Sequence, residues 1–289
     1  MHLESKDKET ALIEYQRLIH DYPTHVSSIR KVKTILRDEK NYEALLSVLK
    51  KEIFLYKEIT QKQICYEEIA WILEEKCGTF LEAADFYMRA FEVVKKLDTN
   101  FYQAERIYKS LGEWKKLIFL YETAQKIVTN NTDQQVIERA LSYVYEFHTR
   151  DFSHLEKILQ TMYLKNKNDQ YIRMRLLEFY RKTKEYDKLI SLLLEVTGAY
   201  SYEERMKEFK VYAREFNPKE KTLYYEKLLQ VINDQKNQLE ILASLGTLYK
   251  DILKDNQKAE IAFLEILQLN PIDIFAKEAL ENIRLLEKK

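Results

Sequence analysis

Apolar and polar positions alternate along this chain with a helical period. Five aromatic residues each follow a polar segment and open an apolar stripe, at successive separations of 38, 34, 38 and 34 residues: Tyr42, Phe80, Trp114, Phe152 and Tyr186. Behind each of them, apolar residues recur at intervals of three, four and three, which keeps one helical face turned toward a neighbour. The pattern predicts amphipathic helices that recur at a regular distance.

Each stripe contains three positions, and only Glu52 interrupts the apolar character. After the aromatic markers the stripes are Leu45, Leu49, Glu52; Ala83, Tyr87, Ala90; Leu117, Tyr121, Ala124; Leu155, Leu159, Met162; and Leu189, Leu193, Val196. Three stripes without a marker extend the series to both ends: Ala11, Tyr15, Leu18; Tyr224, Leu228, Val231; and Ala259, Phe263, Ile266. Partner helices of similar length lie between the stripes, so each pair predicts a helical hairpin.

A repeat near 34 residues with these motifs resembles the tetratricopeptide repeat. The motif is clearest in the last repeat, which reads Leu242, Leu245, Gly246, Tyr249 and then Ala259, Phe263, Ile266, Pro271. The opening residues Ala11, Tyr15, Leu18 and Pro23 resemble the second helix and closing proline of the same repeat. The resemblance implies an all-α fold, a right-handed α-solenoid.

We expect residues 1–289 to form one solenoid domain of about seven hairpins. Its predicted parts are a half-repeat (6–22), hairpins (25–59, 61–97, 99–129, 133–166, 168–199, 201–234 and 236–270) and a capping helix (272–288) with an apolar face of Ile274, Ala279, Ile283 and Leu286. In residues 134–149 the expected core positions fall on Arg139, Ser142 and Glu146, so the register there must slip by about one residue. Stacked hairpins share one core. The half-repeat at the N-terminus would leave an apolar face exposed, so we expect a partner or an upstream segment to cover it.

Composition narrows the classes of function. Four glycines cannot build a phosphate-binding loop, and 47 basic against 47 acidic side chains give no general attraction to nucleic acid or membrane. No apolar run is long enough to span a membrane. Cys65 and Cys77 lie twelve residues apart on one predicted helix, so they cannot bridge each other, and the sequence has no other cysteine. We therefore expect a cytoplasmic protein without membrane insertion, unless an upstream segment carries an export signal. Abundant lysine, isoleucine, asparagine and tyrosine suggest a bacterial origin.

The side chains that could carry catalytic chemistry fit solvated or packed positions better than an active site. His148 and His154 flank a predicted corner beside Asp151 and Glu156, but their spacing is loose for a zinc site. The two cysteines fit small packed thiols, and the many glutamates and aromatic residues fit solvated and core positions of helices. We expect no metal, no cofactor and no enzymatic activity.

The resemblance also implies where a partner binds, because the first helix of each tetratricopeptide hairpin lines the concave face. Ligand-facing positions two, five, nine and twelve give a basic and aromatic strip: Arg30, Arg37, Tyr102, Arg106, Lys109, Tyr171, Met174, Arg181 and Lys250. Such a strip suits an acidic or amphipathic peptide. The carboxylate clamp of chaperone co-factors is absent, since the corresponding pairs read Arg30 and Thr34, Glu67 and Trp71, and Tyr102 and Arg106.

These observations favour a non-enzymatic scaffold or adaptor in a larger assembly, which holds a protein or peptide partner. Two alternatives remain open. One is a peptide-sensing regulatory module of a longer protein whose effector domain lies upstream. The other is an RNA-binding helical repeat, which the balanced charge disfavours because such a repeat needs a basic groove.

Overall fold

The computed structural model describes residues 10, 13, 14, 17, 26–195 and 201–287. All regular structure in these residues is helical. The α-helices are α1 (Val26–Asp38), α2 (Tyr42–Glu52), α3 (Ile59–Glu75), α4 (Phe80–Val94), α5 (Thr99–Leu111), α6 (Trp114–Ile127), α7 (Asn131–Val144), α8 (Phe152–Lys165), α9 (Gln170–Thr183), α10 (Tyr186–Leu194), α11 (Tyr202–Tyr212), α12 (Pro218–Leu229), α13 (Gln235–Thr247), α14 (Asn256–Leu269) and α15 (Ile274–Glu287).

The chain divides into two compact units, residues 1–158 (unit 1) and 159–289 (unit 2). In unit 1, α1 packs with α2, α3 with α4, and α5 with α6, as successive hairpins. In unit 2, α9 packs with α10 and α13 with α14, and α15 packs on α14. The predicted half-repeat 6–22 lies outside the described residues, apart from Thr10, Ile13, Glu14 and Arg17. A single continuous domain with the repeat boundaries given above stays a prediction.

The aromatic markers begin helices, as predicted. Each of the five is the first residue of the second helix of a hairpin: Tyr42, Phe80, Trp114, Phe152 and Tyr186. The stripes behind them are buried, including Glu52 at 4% exposure. In the stripe without a marker on α12, Tyr224 and Leu228 are buried, whereas Val231 is 49% exposed because α12 ends at Leu229. Val196 lies outside the described residues.

The predicted apolar face of the last helix is only partly right. Ala279 and Ile283 are buried, whereas Ile274 is 71% exposed, since it is the first residue of α15 and lies at its edge. Ala276 and Leu280 complete the buried face instead. The side chain of Leu286 is not among those described.

Two first helices end in a π-helical turn, Tyr145–Thr149 after α7 and Leu248–Leu253 after α13. Such a turn holds one more residue than an α-helical turn. Of the three core positions expected from spacing, Ser142 is buried, whereas Arg139 is exposed and Glu146 is half-buried. Glu138, Leu141 and Tyr145, each one residue earlier, are also buried. The repeat register of residues 134–149 stays a prediction.

Links between consecutive hairpins recur as a tyrosine of a first helix bound to a carboxylate of the preceding second helix. Tyr108 donates to Asp85 (2.7 Å) and Tyr145 to Glu122 (3.1 Å), in both cases across 23 residues. Tyr249 donates to Glu226 across the same separation. The helices of the last hairpin approach so closely that a Cβ on Gly246 would lie 2.6 Å from the ring of Phe263. This is the place where the tetratricopeptide motif has its small residue.

Candidate functional site

Helix α3 of unit 1 exposes large apolar side chains along its outer side. Ile64 is 62% exposed and Trp71 is 48% exposed. They are seven residues apart, which is about two helical turns or 10 Å along the same face. The Nζ of Lys76 lies 4.7 Å from the centroid of the Trp71 ring. Soluble helices usually present charged residues in such positions, so this exposed pair is a candidate contact for a partner.

Glutamates on both flanks of α3 connect it to the neighbouring first helices. On one side Glu68 binds Arg37 of α1, with Nε to Oε1 at 3.0 Å. On the other side Glu74 accepts from Arg106 of α5. Glu67 accepts from the amide of Asn100, also of α5, at 2.7 Å. Helices α1, α3 and α5 therefore lie side by side, and their outer surfaces form what we call the first-helix face of unit 1.

Tyr102 adds a third exposed apolar side chain to this face. It lies on α5 one turn before Arg106 and is 51% exposed. Its ring packs edge-on against the buried ring of Phe101, with the centroids 5.2 Å apart. Its orientation is thus held by the core, while its outer surface faces solvent. We call the exposed apolar side chains of this face, Ile64, Trp71 and Tyr102, the apolar row. The Arg37–Glu68 pair joins α3 to α1, and the Arg106–Glu74 pair joins α3 to α5.

The cations that the sequence assigns to this strip are largely paired within the chain. Arg37 and Arg106 hold Glu68 and Glu74, as described above. Arg106 also donates to the amide oxygen of Gln103 at 2.8 Å, and Lys109 binds Glu105 at 2.8 Å. Arg30 is exposed on α1. The face therefore presents less free positive charge than a count of its basic residues suggests.

In unit 2 the predicted residues lie on α9 and after α13. Tyr171 and Met174, three residues apart on α9, are 57% and 62% exposed. Arg181 binds Glu178 of its own helix and Glu215, which follows α11, at 2.6 Å. Lys250 lies in the second π-helical turn, 4.0 Å from Asp251. Here too exposed apolar side chains accompany an arginine that is already paired.

Ile64 and Trp71 were not among the residues predicted to contact a partner. A signal was present, since Trp71 stands at position nine of its helix, which is one of the four ligand-facing positions. The clamp of chaperone co-factors needs a lysine or asparagine at such positions, and a tryptophan does not fit it. Exposure could not be read from the sequence, because an isoleucine and a tryptophan at helical spacing are more often core residues.

The groups considered for catalysis have ordinary structural surroundings. The Cys65 thiol is buried and donates to the carbonyl of Leu49 at 3.4 Å, and burial raises its pKa to about 12. The His154 ring binds Asp151 (Nδ1 to Oδ2, 2.8 Å), and the His148 ring stacks on Trp114 with centroids 3.5 Å apart. Across the described residues, no group of three or more His, Cys, Asp or Glu side chains is placed to hold a metal ion. None of the described helices combines the length and apolarity of a membrane span.

Comparison with known proteins gives structural neighbours only. No family model matches the sequence. No curated protein matches it either. A complex of Naa15 and Naa10 bound to HypK-THB aligns at a TM-score of 0.42 and 15% identity, over 89% of this chain and 39% of that chain. This chain thus spans about two fifths of that protein.

Two further neighbours are tetratricopeptide repeat proteins. The TPR protein YrrB, described as having an unusual peptide-binding site, aligns at a TM-score of 0.31 and 16% identity over 76% of this chain and 92% of that chain. A tetratricopeptide repeat protein from Parabacteroides merdae aligns at 0.32 and 15% identity over 93% and 98%. Scores this low say nothing about partners. The all-helical fold and the divergent tetratricopeptide-like hairpins that the sequence predicts are confirmed. The contacts within and between hairpins are those described above.

Proposed function

We propose that this protein is a non-enzymatic scaffold that binds a segment of another protein on the first-helix face of unit 1. The observation that supports this is the apolar row of Ile64, Trp71 and Tyr102. Partly buried aromatic side chains on a rigid helical frame are the residues that most often dominate binding energy at protein interfaces. Their exposure here leaves apolar area that a partner would remove from water.

The neighbouring ion pairs favour an amphipathic segment over a strongly acidic one. An acidic peptide could bind Arg37 or Arg106 only if the arginine released Glu68 or Glu74. Because one arginine–carboxylate pair would replace another, that exchange gains little binding free energy. An amphipathic helix or extended segment needs only apolar contacts with the row and polar contacts at its edges. In this arrangement the two ion pairs remain formed and hold the three first helices in place.

Selection from a displayed peptide library tests the proposal directly. Binders are selected on the wild-type chain and tested by fluorescence anisotropy against Trp71→Ala. Removal of a central tryptophan anchor should weaken binding by about thirtyfold, which corresponds to about 2 kcal/mol. Circular dichroism and urea unfolding check that the variant retains its fold.

Phe119→Ser is the matched control. Phe119 is also a large exposed apolar residue, at 56%, but it lies on α6, a second helix, and not on the first-helix face. The selected peptides should bind this variant as they bind wild type. Equal binding to wild type and Trp71→Ala, or equal losses in both variants, would refute the proposed surface.

A further inference from the structure

The segment between α2 and α3 of unit 1 presents a phenylalanine almost entirely to solvent. Phe54 lies in a short 3₁₀-helical turn, Ile53–Leu55, and is 88% exposed. The turn is held on both sides of it, because Ile53 is buried and the hydroxyl of Tyr56 donates to Glu52. Phe54 is therefore carried outward by a fixed loop, and its apolar area stays in water unless something covers it.

The ends of two hairpins meet around this loop. Lys33 of α1 lies 2.6 Å from Glu52, the last residue of α2, so the start of α1 lies beside the end of α2. Helices α3 and α4 pack together across a short corner, with the rings of Tyr66 and Phe86 6.2 Å apart. The end of α4 thus lies beside the start of α3. We call residues 53–58, the first two turns of α1, the first turn of α3 and residues 92–98 the loop edge of unit 1.

The loop edge carries an excess of positive charge, although the chain as a whole carries none. Three of its residues are acidic: Glu58, Glu92 and Asp98, of which Asp98 accepts the backbone N–H groups that begin α5. Six are basic, and their side chains make no hydrogen bond or ion pair with any described residue: Arg30, Lys51, Lys57, Lys62, Lys95 and Lys96. Such a local excess attracts an anionic surface.

A lipid surface fits these features better than a nucleic acid does. Proteins hold single-stranded nucleic acid with several rings on which successive bases stack. Among the described residues of the loop edge, Phe54 is the one exposed aromatic side chain. A bilayer requires only an apolar side chain that enters the interface and cations near anionic headgroups. Lysines spread over two hairpins suit such a broad surface, because their stems can lie along it while their charges reach the headgroups.

We propose that the loop edge of unit 1 docks this protein on an anionic lipid surface. Phe54 enters the boundary between headgroups and acyl chains, and the surrounding basic side chains contact the headgroups. The contact is peripheral and requires no membrane-spanning helix. It goes beyond the proposed function and does not depend on it, because the apolar row lies on the outer surfaces of α3 and α5.

Flotation of the full chain with lipid vesicles tests the proposal. Vesicles of phosphatidylcholine alone are compared with vesicles in which about a third of the lipid is phosphatidylglycerol. Binding is expected to the anionic vesicles only, and added salt should weaken it because salt screens exposed charges. Absence of binding to the anionic vesicles at low salt, or equal binding to both kinds of vesicle, would overturn the proposal.

Variants of the loop separate the apolar contribution from the electrostatic one. Phe54→Ser should weaken binding to anionic vesicles by about tenfold, because its apolar area no longer leaves water. Lys51→Ala and Lys57→Ala should each weaken it by about fivefold. Phe54→Trp should bind at least as tightly as wild type, since tryptophan favours the membrane interface. Circular dichroism checks that each variant keeps its helices.

Phe147→Ser and Lys115→Ala are the matched controls. Phe147 is 58% exposed and Lys115 is exposed, and both lie near corners within hairpins of unit 1, away from the loop edge. Both variants should bind vesicles like wild type. Trp71→Ala should do so too, which separates this site from the apolar row. Equal losses in Phe54→Ser and Phe147→Ser would overturn the proposal. A loss in Lys57→Ala without one in Phe54→Ser, together with binding to a single-stranded oligonucleotide, would replace lipid by nucleic acid.

Discussion

At the scale of single residues, the hairpin corners use left-handed backbone without always using glycine. The corners after α1, α5 and α9 share one pair of backbone hydrogen bonds. The N–H of the left-handed residue donates to the carbonyl three positions earlier, and the N–H of the residue after it donates to the carbonyl five positions earlier. Their left-handed residues are Lys40 (φ 57°), Gly112 (φ 70°) and Lys184 (φ 60°). Only glycine adopts this conformation without a steric cost of about 1 kcal/mol. The two lysine corners therefore carry a strain that the glycine corner lacks.

Replacing the strained lysine should stabilise unit 2. We expect Lys184→Gly to raise the free energy of unfolding by up to about 0.5 kcal/mol, because relief of strain exceeds the added freedom of the unfolded chain. Urea unfolding followed by circular dichroism measures this difference. Lys182→Gly is the matched control, since Lys182 is exposed within α9 and its change should lower stability by about 0.5–1 kcal/mol. The same sign in both variants would contradict the explanation.

At the scale of helices, the one polar interruption of the stripes proves to be a buried ion pair. Glu52 ends α2, and its carboxylate lies 2.6 Å from the Nζ of Lys33 on α1. The hydroxyl of Tyr56 donates to the second carboxylate oxygen. The side chain of Lys33 is only 13% exposed, so each of the two charges needs the other to offset its loss of hydration. The pair joins the two helices of the first described hairpin at the level where an apolar residue would otherwise pack.

Restoring the apolar pattern at one position alone should destabilise this hairpin. Glu52→Leu leaves Lys33 charged in a nearly buried position, and we expect a loss of about 3 kcal/mol. The double variant Lys33→Leu, Glu52→Leu removes both charges and should recover most of that loss. Urea unfolding of the wild type, both single variants and the double variant measures the coupling. A double variant as unstable as Glu52→Leu would show that the charge pair is not the cause.

How much of the helices the sequence predicts depends on the kind of interaction that sets them. The markers Phe80 and Trp114 open helices because an aromatic residue after a polar corner is a local signal. Spacing indicated a register slip in residues 134–149, but it did not indicate the π-helical turn that follows α7. The candidate site was harder to predict from the sequence than the helices. Arg106 was predicted to contact a partner, yet its pairing with Glu74 depends on where another helix lies.

At the scale of the whole chain, buried tyrosines occur in both units and serve as links between hairpins. Of 21 tyrosines, several donate to carboxylates, among them Tyr108 and Tyr145 in unit 1 and Tyr249 in unit 2. Burial, followed by the hydrogen bond to Glu226 and its negative charge, raises the pKa of Tyr249 to about 12. Burial likewise raises the pKa values of Tyr108 and Tyr145. Their neutral forms therefore contribute to stability.

The sign of the resulting pH dependence follows from these shifts. In the unfolded chain each tyrosine loses its proton near pH 10, whereas the folded chain keeps it until about pH 12 or above. Below pH 10 the tyrosines are neutral in both states, so their contribution is fully present. Above pH 10 the unfolded state gains from ionisation, and stability falls by about 1.4 kcal/mol per pH unit for each such tyrosine.

We therefore expect the free energy of unfolding to fall steeply above about pH 10, as buried tyrosines ionise only on unfolding. Urea unfolding at a series of pH values measures the slope, and ultraviolet absorbance of tyrosinate shows when the rings titrate. Tyr249→Phe removes one such group and should reduce the slope above pH 10 by about 1.4 kcal/mol per pH unit. Complete titration near pH 10 with helicity retained would contradict the buried, carboxylate-bound state of these tyrosines. Tyr171→Phe, which changes a largely exposed ring, should leave the slope unchanged.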